Sequence, residues 1–211
     1  MDNENKTKKG KFIVIEGADG SGKSLVINKL KELYKDRSDI IFVKEPSFSK
    51  FGGSLSRLIK SYKDSITAET KMYLFMAARC ELIDNIIIPA LNEGKTVICE
   101  RFALSTYAYQ CSEDDSLIKI LTESLNKLSS RINVDYTFYI NCIASDLLGK
   151  DAAADEIQRM GALVIWYNMG FTGATFPTSL IGKLVHLDYS DKTIDKANTI
   201  KNIIDNDSSN S

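Results

Sequence analysis

Phe12-Ile13-Val14-Ile15-Glu16, followed by Gly17-Ala18-Asp19-Gly20-Ser21-Gly22-Lys23-Ser24 and then Leu25, is the stretch from which the rest of the chain is read. The glycine-rich segment fits G-x-x-x-x-G-K-[ST], with a short apolar run before it and an apolar-periodic stretch after it. A glycine-rich turn of no function is the alternative, and a strand on one side with a helix on the other argues against it. The residue types explain the chemistry. Glycines let backbone N–H groups wrap a polyphosphate, and the following helix N-terminus adds positive potential. Lys23 reaches the β/γ oxygens, while Ser24 offers its hydroxyl to Mg²⁺. Gly17, Ala18, Asp19, Gly20, Ser21, Gly22, Lys23 and Ser24 are therefore the expected nucleotide phosphate site.

Outward from this loop, β-rich apolar runs recur at Ile40 to Lys44, Thr96 to Cys99, Tyr136 to Asn141 and Lys183 to Leu187, separated by helical patterning. Strands alternating with helices imply an α/β fold with a parallel sheet covered on both faces. Val26, Ile27, Leu30, Leu33 and Tyr34 give the first helix its apolar stripe. The polar stretch 1–10 and the Asn/Asp/Ser-rich stretch 205–211 read as flexible tails around one domain spanning 11–204. The chain has 211 residues, enough for one full core, and a net charge of −1. That charge argues against general nucleic-acid or membrane-surface binding and favours small partners. Lacking a spanning-length apolar run or a signal-like start, the sequence is expected to be cytoplasmic. Cys80, Cys99, Cys111 and Cys142 show no C-x-x-C pairing and read as free thiols. His186 is the only histidine, which weighs against histidine triads and histidine-rich metal sites.

Three further segments carry chemistry. Lys44-Glu45-Pro46-Ser47 ends the second strand, where open α/β sheets bind ligands. Glu45 is there either a surface carboxylate or a group facing an acceptor nucleotide or a metal-bound water. Phe51-Gly52-Gly53-Ser54 reads as a turn into a short helix carrying Arg57. From Thr67 a long helical pattern runs through Met72, Phe75, Met76, Leu82 and Ile86 to Pro89, with Arg79 on it. By pattern alone its apolar stripe is core and Arg79 a solvated residue. Val97-Ile98-Cys99-Glu100-Arg101-Phe102 then puts a carboxylate at a strand end, the usual place for a group that holds Mg²⁺ beside a phosphate loop. Arg101 follows it and can neutralise phosphate bidentately.

The order and spacing of these pieces, with Leu74-Phe75-x-Ala77-x-Arg79, Pro89 to Gly94, Ser105 and Ala108-Tyr109-Gln110, resemble the thymidylate kinases over about Phe12 to Gln110. The resemblance implies a P-loop NTPase-type three-layer α/β/α fold, a five-stranded parallel sheet and a short lid near 146–160. It also implies a homodimer and transfer of the γ-phosphoryl of ATP to dTMP. Asp19 would then accept from the acceptor 3′-hydroxyl, Phe75 would stack on thymine, and Arg79 would donate to its exocyclic carbonyl. Arg101 would bridge the acceptor phosphate and the transferring group, Tyr109 would crowd a 2′-hydroxyl, and Gln110 would line the same pocket. Glu45, Arg57 and Ser105 complete the expected substrate set, and Ser24 and Glu100 the metal set. The family supplies a catalytic arginine from the loop or the lid, whereas this chain has Gly20 in the loop and Glu156 after Asp155. Lys150 and Arg159 are the remaining cations there, and Lys150 is the expected catalytic one. Two other readings use the same parts: a deoxynucleoside or modified-pyrimidine nucleotide kinase, with Glu45 a general base in the former, and a nucleotide-binding protein of little activity.

Overall fold

The computed structural model describes residues 10–62, 64–143, 147–148, 153–172 and 176–209. Its centre is a five-stranded sheet, β1 Phe12–Glu16, β2 Ile40–Lys44, β3 Thr96–Glu100, β4 Tyr136–Asn141 and β5 Lys183–Asp188. All pairings are parallel, in the spatial order β2-β3-β1-β4-β5. Alternation along β1 splits the core in two. Phe12 and Val14 join a cluster on one face, and Ile13 and Ile15 join a second on the other.

The second face is covered by α1 (Lys23–Leu33), through Val26, Ile27 and Leu30, and by α8 (Thr193–Ser209), through Ala197, Ile200 and Ile204. The first face takes α3 (Ala68–Leu82), α4 (Ile88–Asn92), α5 (Ala103–Glu113), α6 (Ile118–Ser129) and α7 (Ala154–Phe171). The layers are thus helix, sheet, helix. Because α1 leaves β1 toward one face while α5 leaves β3 toward the other, a crevice opens at the carboxyl ends of these adjacent strands.

Two helices differ from the sequence expectation. The long helical pattern from Thr67 is interrupted by a π turn at Ile83–Ile87, where the Ile88 N–H bonds back to the Ile83 carbonyl. Pro89 has no N–H to give and its ring would crowd the Asn85 carbonyl, so the wider turn accommodates it. The Phe51-Gly52-Gly53-Ser54 stretch is not a turn before a short helix. It lies in the first turns of α2 (Lys50–Ser61), capped by the Ser49 hydroxyl, which accepts from the Gly52 N–H at 2.9 Å.

Of the two stretches expected to be tails, Gly10 and residues 205–209 lie within the described part. Gly10 is buried, with its N–H on the Leu91 carbonyl at 3.0 Å. Residues 205–209 are the end of α8, where Asp205 pairs with Lys201 at 2.5 Å and Asp207 with Lys11 at 2.5 Å. The Asp207–Lys11 pair holds the end of this helix beside the start of the central strand β1. No described helix is long and apolar enough to cross a membrane. None of the four cysteines is in a disulfide.

Candidate active site

The crevice is a cavity of about 600 Å³. Its floor is the turn between β1 and α1. Gly20 and Gly22 there have φ of 82° and 86°, a region that costs an L side chain about 1–2 kcal/mol, so glycine sets the loop's curvature. Asp19, Gly20, Gly22, Lys23 and Ser24 line the cavity, while Gly17, Ala18 and Ser21 form the turn behind them. The Lys23 ammonium donates to the Ala18 carbonyl at 2.5 Å and to Ser21 Oγ at 3.3 Å. Burial first, then the nearby Arg101 guanidinium, push its pKa down to about 7.

Ser24 Oγ donates to Glu100 Oε1 at 2.7 Å, and the same oxygen accepts from Lys44 Nζ at 2.8 Å. Parallel register places Lys44 beside Glu100 at the carboxyl ends of β2 and β3. Burial acts to raise the Glu100 pKa, but these two donors outweigh it and hold the carboxyl below its usual range. Hydroxyl and carboxylate oxygens side by side suit Mg²⁺, which takes hard oxygen donors, keeps waters and shares substrate phosphates. Among the described residues no group of three or more His, Cys, Asp or Glu side chains could hold a metal. The fit is thus to an ion completed by phosphate and water.

Arg101 adopts φ of 67°, the one positive-φ non-glycine among the described residues. Its backbone N–H bonds to the Ile15 carbonyl at 3.0 Å. Its guanidinium pairs with Asp19, donates to Ser105 Oγ at 3.1 Å and Tyr167 Oη at 3.4 Å, and packs against the Tyr109 ring at 5.3 Å. Burial would raise the Asp19 pKa, yet Arg101 and the Tyr109 hydroxyl hold it low. Beneath Arg101 lies the fully buried Glu16 carboxylate. It accepts from the Phe102 N–H at 2.8 Å, the Ser105 N–H at 3.2 Å and Ser105 Oγ at 2.6 Å.

Phe75, Arg79, Tyr109 and Gln110 line the cavity wall with Glu45, Pro46 and Ser47, and the Tyr109 hydroxyl accepts from the Asp19 N–H at 3.0 Å. Arg79 is 2% exposed, which overturns its reading as a solvated residue. Its Nε and Nη2 hold Glu45 Oε2 at 2.9 and 2.7 Å, and Nη2 also donates to the Phe102 carbonyl at 3.0 Å and Thr106 Oγ1 at 2.8 Å. Glu45 is likewise buried, so it is no surface carboxylate. Burial outweighs the Arg79 charge and raises its pKa. The buried Gln110 Oε1 has no hydrogen-bond partner.

Arg57 is not brought to the cavity. It is exposed and donates to Ser54 Oγ at 3.0 Å, while α2 turns Ser56, Ile59 and Lys60 inward. The helix phase set by the Ser49 cap makes the difference, since neighbouring residues on a helix face different ways. Lys150 lies outside the described residues, as do 146, 149, 151 and 152 of the expected lid. Arg159 is exposed on α7 and does not line the cavity, and Leu147 is the side chain nearest Gly20. The sequence reading had no place for Glu16, Lys44, Lys60, Thr106 or Tyr167. Only Lys44 carried a signal, as the last residue of a strand that ends at the ligand crevice.

A family model described as thymidylate kinase matches residues 15–159. The thymidylate kinase of Protochlamydia amoebophila is 36% identical over 157 residues, covering 73% of this chain and 68% of that protein. That of Buchnera aphidicola subsp. Baizongia pistaciae is 37% identical over 158 residues, covering 72% and 74%. A solved thymidylate kinase from Ehrlichia chaffeensis shares the fold, with a TM-score of 0.68 at 24% identity over 93% of this chain and 99% of that one. A phosphate loop, a strand-end carboxylate and an adjoining aromatic pocket therefore stand here on a matching sequence and backbone, and the chain belongs to the thymidylate kinase family.

Proposed function

We infer that this protein transfers the γ-phosphoryl group of ATP to dTMP, giving dTDP and ADP. One observation carries the reading beyond family membership: a single cavity joins the phosphate loop to a wall made of Phe75, Arg79, Tyr109 and Gln110. A donor polyphosphate and a planar acceptor base thus have adjoining places. ATP lies on the loop, with Lys23 on its β/γ oxygens. Ser24 and Glu100 would hold Mg²⁺, which when bound would neutralise charge on those oxygens. Phe75 stacks on the pyrimidine, Arg79 Nη1 donates to its carbonyl, and the unpartnered Gln110 Oε1 accepts from the ring N–H. Asp19 takes the 3′-hydroxyl, Tyr109 excludes a 2′-hydroxyl, and Arg101 bridges the acceptor phosphate and the transferring group.

The acceptor phosphate oxygen is already ionised at neutral pH, so no base is needed, and positioning with charge neutralisation suffices. Glu45, bound by Arg79 on two sides, is a buried positioning carboxylate rather than a base for a sugar hydroxyl. A product assay with ATP against dTMP, dUMP, dCMP and thymidine tests the assignment. Turnover of dTMP over the others is expected, and phosphorylation of thymidine without dTMP would overturn it.

The protein acts as a homodimer in a reducing compartment such as the cytoplasm. Phe51 and Leu58 on α2 and Tyr62 just after it remain exposed, as does Tyr73 on α3, an apolar surface suited to a second copy. Free thiols fit the reducing setting. Light scattering should give twice the chain mass, and Leu58→Glu should give monomers.

A further inference from the structure

We propose that Lys44 is a catalytic cation of the phosphoryl transfer, moving from Glu100 to the transferring group once nucleotide and metal are bound. The proposal rests on the dTMP kinase reading. In that reaction an oxygen of the acceptor phosphate bonds to the γ phosphorus. The bond from that phosphorus to the β,γ-bridging oxygen breaks, and the bridging oxygen leaves on ADP with the electron pair. No proton moves. What the protein must supply is positive charge around three crowded phosphoryl groups.

Among the described residues five cations line the cavity: Lys23, Lys44, Lys60, Arg79 and Arg101. Four have other work or lie elsewhere. Lys23 belongs to the loop, where it bonds to the Ala18 carbonyl. Arg79 is spent on Glu45, Thr106 and the Phe102 carbonyl at the base end. Arg101 has its place already, bridging the acceptor phosphate and the transferring group, and is held there by Asp19, Ser105 and Tyr167. Lys60 enters from α2 beside Ser56 and Ile59, on the acceptor side.

Lys44 differs in both position and freedom. Its ammonium shares one carboxylate oxygen, Glu100 Oε1, with the Ser24 hydroxyl, which places it a single oxygen away from the metal-facing pair. Its backbone is fixed in β2, yet its side chain is 50% exposed and has room to swing. A divalent ion drawn to Ser24 and Glu100 takes the negative charge that holds Lys44 and repels the ammonium at short range. The nearest uncompensated anion is then the polyphosphate between the two substrates. Across the loop, Gly20 faces Leu147.

The test compares wild type with Lys44→Met, which keeps the stem without charge, and Lys44→Arg, which keeps the charge. All three are checked for unchanged melting temperature. At saturating Mg²⁺, kcat with dTMP is expected to fall about 10²-fold in Lys44→Met and to recover to within about tenfold of wild type in Lys44→Arg. ATP affinity, measured by displacement of a fluorescent nucleotide, should change by less than about threefold. Affinity for the transition-state mimic ADP–aluminium fluoride with dTMP should fall alongside kcat. A residue that merely neutralised Glu100 would not move the mimic's affinity relative to ATP. Lys44→Met turning over within about threefold of wild type overturns the proposal, as does a loss erased by raising Mg²⁺. Wild type that leaves dTMP untouched overturns the acceptor assignment instead, and the variants are then compared on ATP hydrolysis by the same preparations.

Discussion

The Tyr167 hydroxyl donates to the Gly17 carbonyl at 3.1 Å, so α7 is bonded directly to the first residue of the glycine-rich loop. The same hydroxyl sits 2.9 Å from Ser105 Oγ and 3.4 Å from the Arg101 guanidinium. One buried phenol thereby meets the loop, the Glu16–Ser105 pair and the Arg101 guanidinium. Tyr167→Phe keeps the ring and loses the junction. With about 1 kcal/mol for a lost hydrogen bond, kcat should fall about five- to tenfold with little change in dTMP KM. The melting temperature should fall by about 2–4 °C. A lower melting temperature with unaltered kcat would reduce Tyr167 to packing alone.

Arg79 and Glu45 form a second buried unit, and removing one partner should cost far more than removing both. Arg79→Met strands a carboxylate whose pKa burial already raises, at a cost of about 3–5 kcal/mol. The double variant Glu45→Gln with Arg79→Met should recover much of this, although acceptor binding stays weak. The pH dependence has a definite sign. A stranded Glu45 binds its proton more tightly folded than unfolded, so its penalty is absent below the unfolded value near about 4.3. It grows as pH rises from there toward the folded value. Denaturant melts at about pH 5 and pH 8 should therefore show Arg79→Met closer to wild type at the lower pH.

How much of this was legible in the sequence follows the range of each interaction. The loop from Gly17 to Ser24 is contiguous, and its glycines, Lys23 and Ser24 declare a phosphate site without any partner. The five strands declare themselves by apolar runs, and the parallel sheet follows from the helical segments between them. Arg79 is different. Along α3 it reads as a charge on a helix face, because Glu45, Phe102 and Thr106 arrive from other elements. Glu16 looks like the last residue of a strand until folding brings Ser105 and Phe102 to its carboxylate. Arg57 illustrates phase. One residue decides which side of α2 faces the cavity, and that depends on where the helix starts, which the Gly52-Gly53 pair obscured by resembling a turn.

Lys23 links binding to pH. With its pKa near 7 in the nucleotide-free protein, the ammonium is largely neutral at about pH 8 and must regain a proton when polyphosphate arrives. ATP binding should therefore take up a proton at about pH 8 and far less at about pH 6. Affinity should weaken by up to about tenfold per pH unit above 7. Calorimetry in two buffers of different ionisation enthalpy measures the uptake, and subtraction of the Lys23→Met value removes the proton exchange of ATP itself. Equal uptake in Lys23→Met and wild type at the higher pH would assign the proton elsewhere.

Gly52 and Gly53 stand side by side in α2 yet should respond oppositely to alanine. A Cβ at Gly52 would lie 1.9 Å from the Pro46 carbonyl oxygen, a backbone atom that cannot rotate aside. The first turn of α2 would then have to retreat from the loop that carries Glu45, Pro46 and Ser47, disturbing the Glu45–Arg79 pair at the base end of the cavity. Gly52→Ala should cost about 1–3 kcal/mol and raise the dTMP KM several-fold, with the ATP KM within about twofold of wild type. At Gly53 the nearest atom to a Cβ is the Ser47 carbonyl oxygen at 3.5 Å, ordinary contact distance. Gly53→Ala should therefore gain up to about 1 kcal/mol from reduced chain entropy and leave acceptor kinetics alone. Melting curves and dTMP saturation curves of the two variants decide the matter, since equal effects at both positions would rule out the close approach to Pro46 as the reason for glycine.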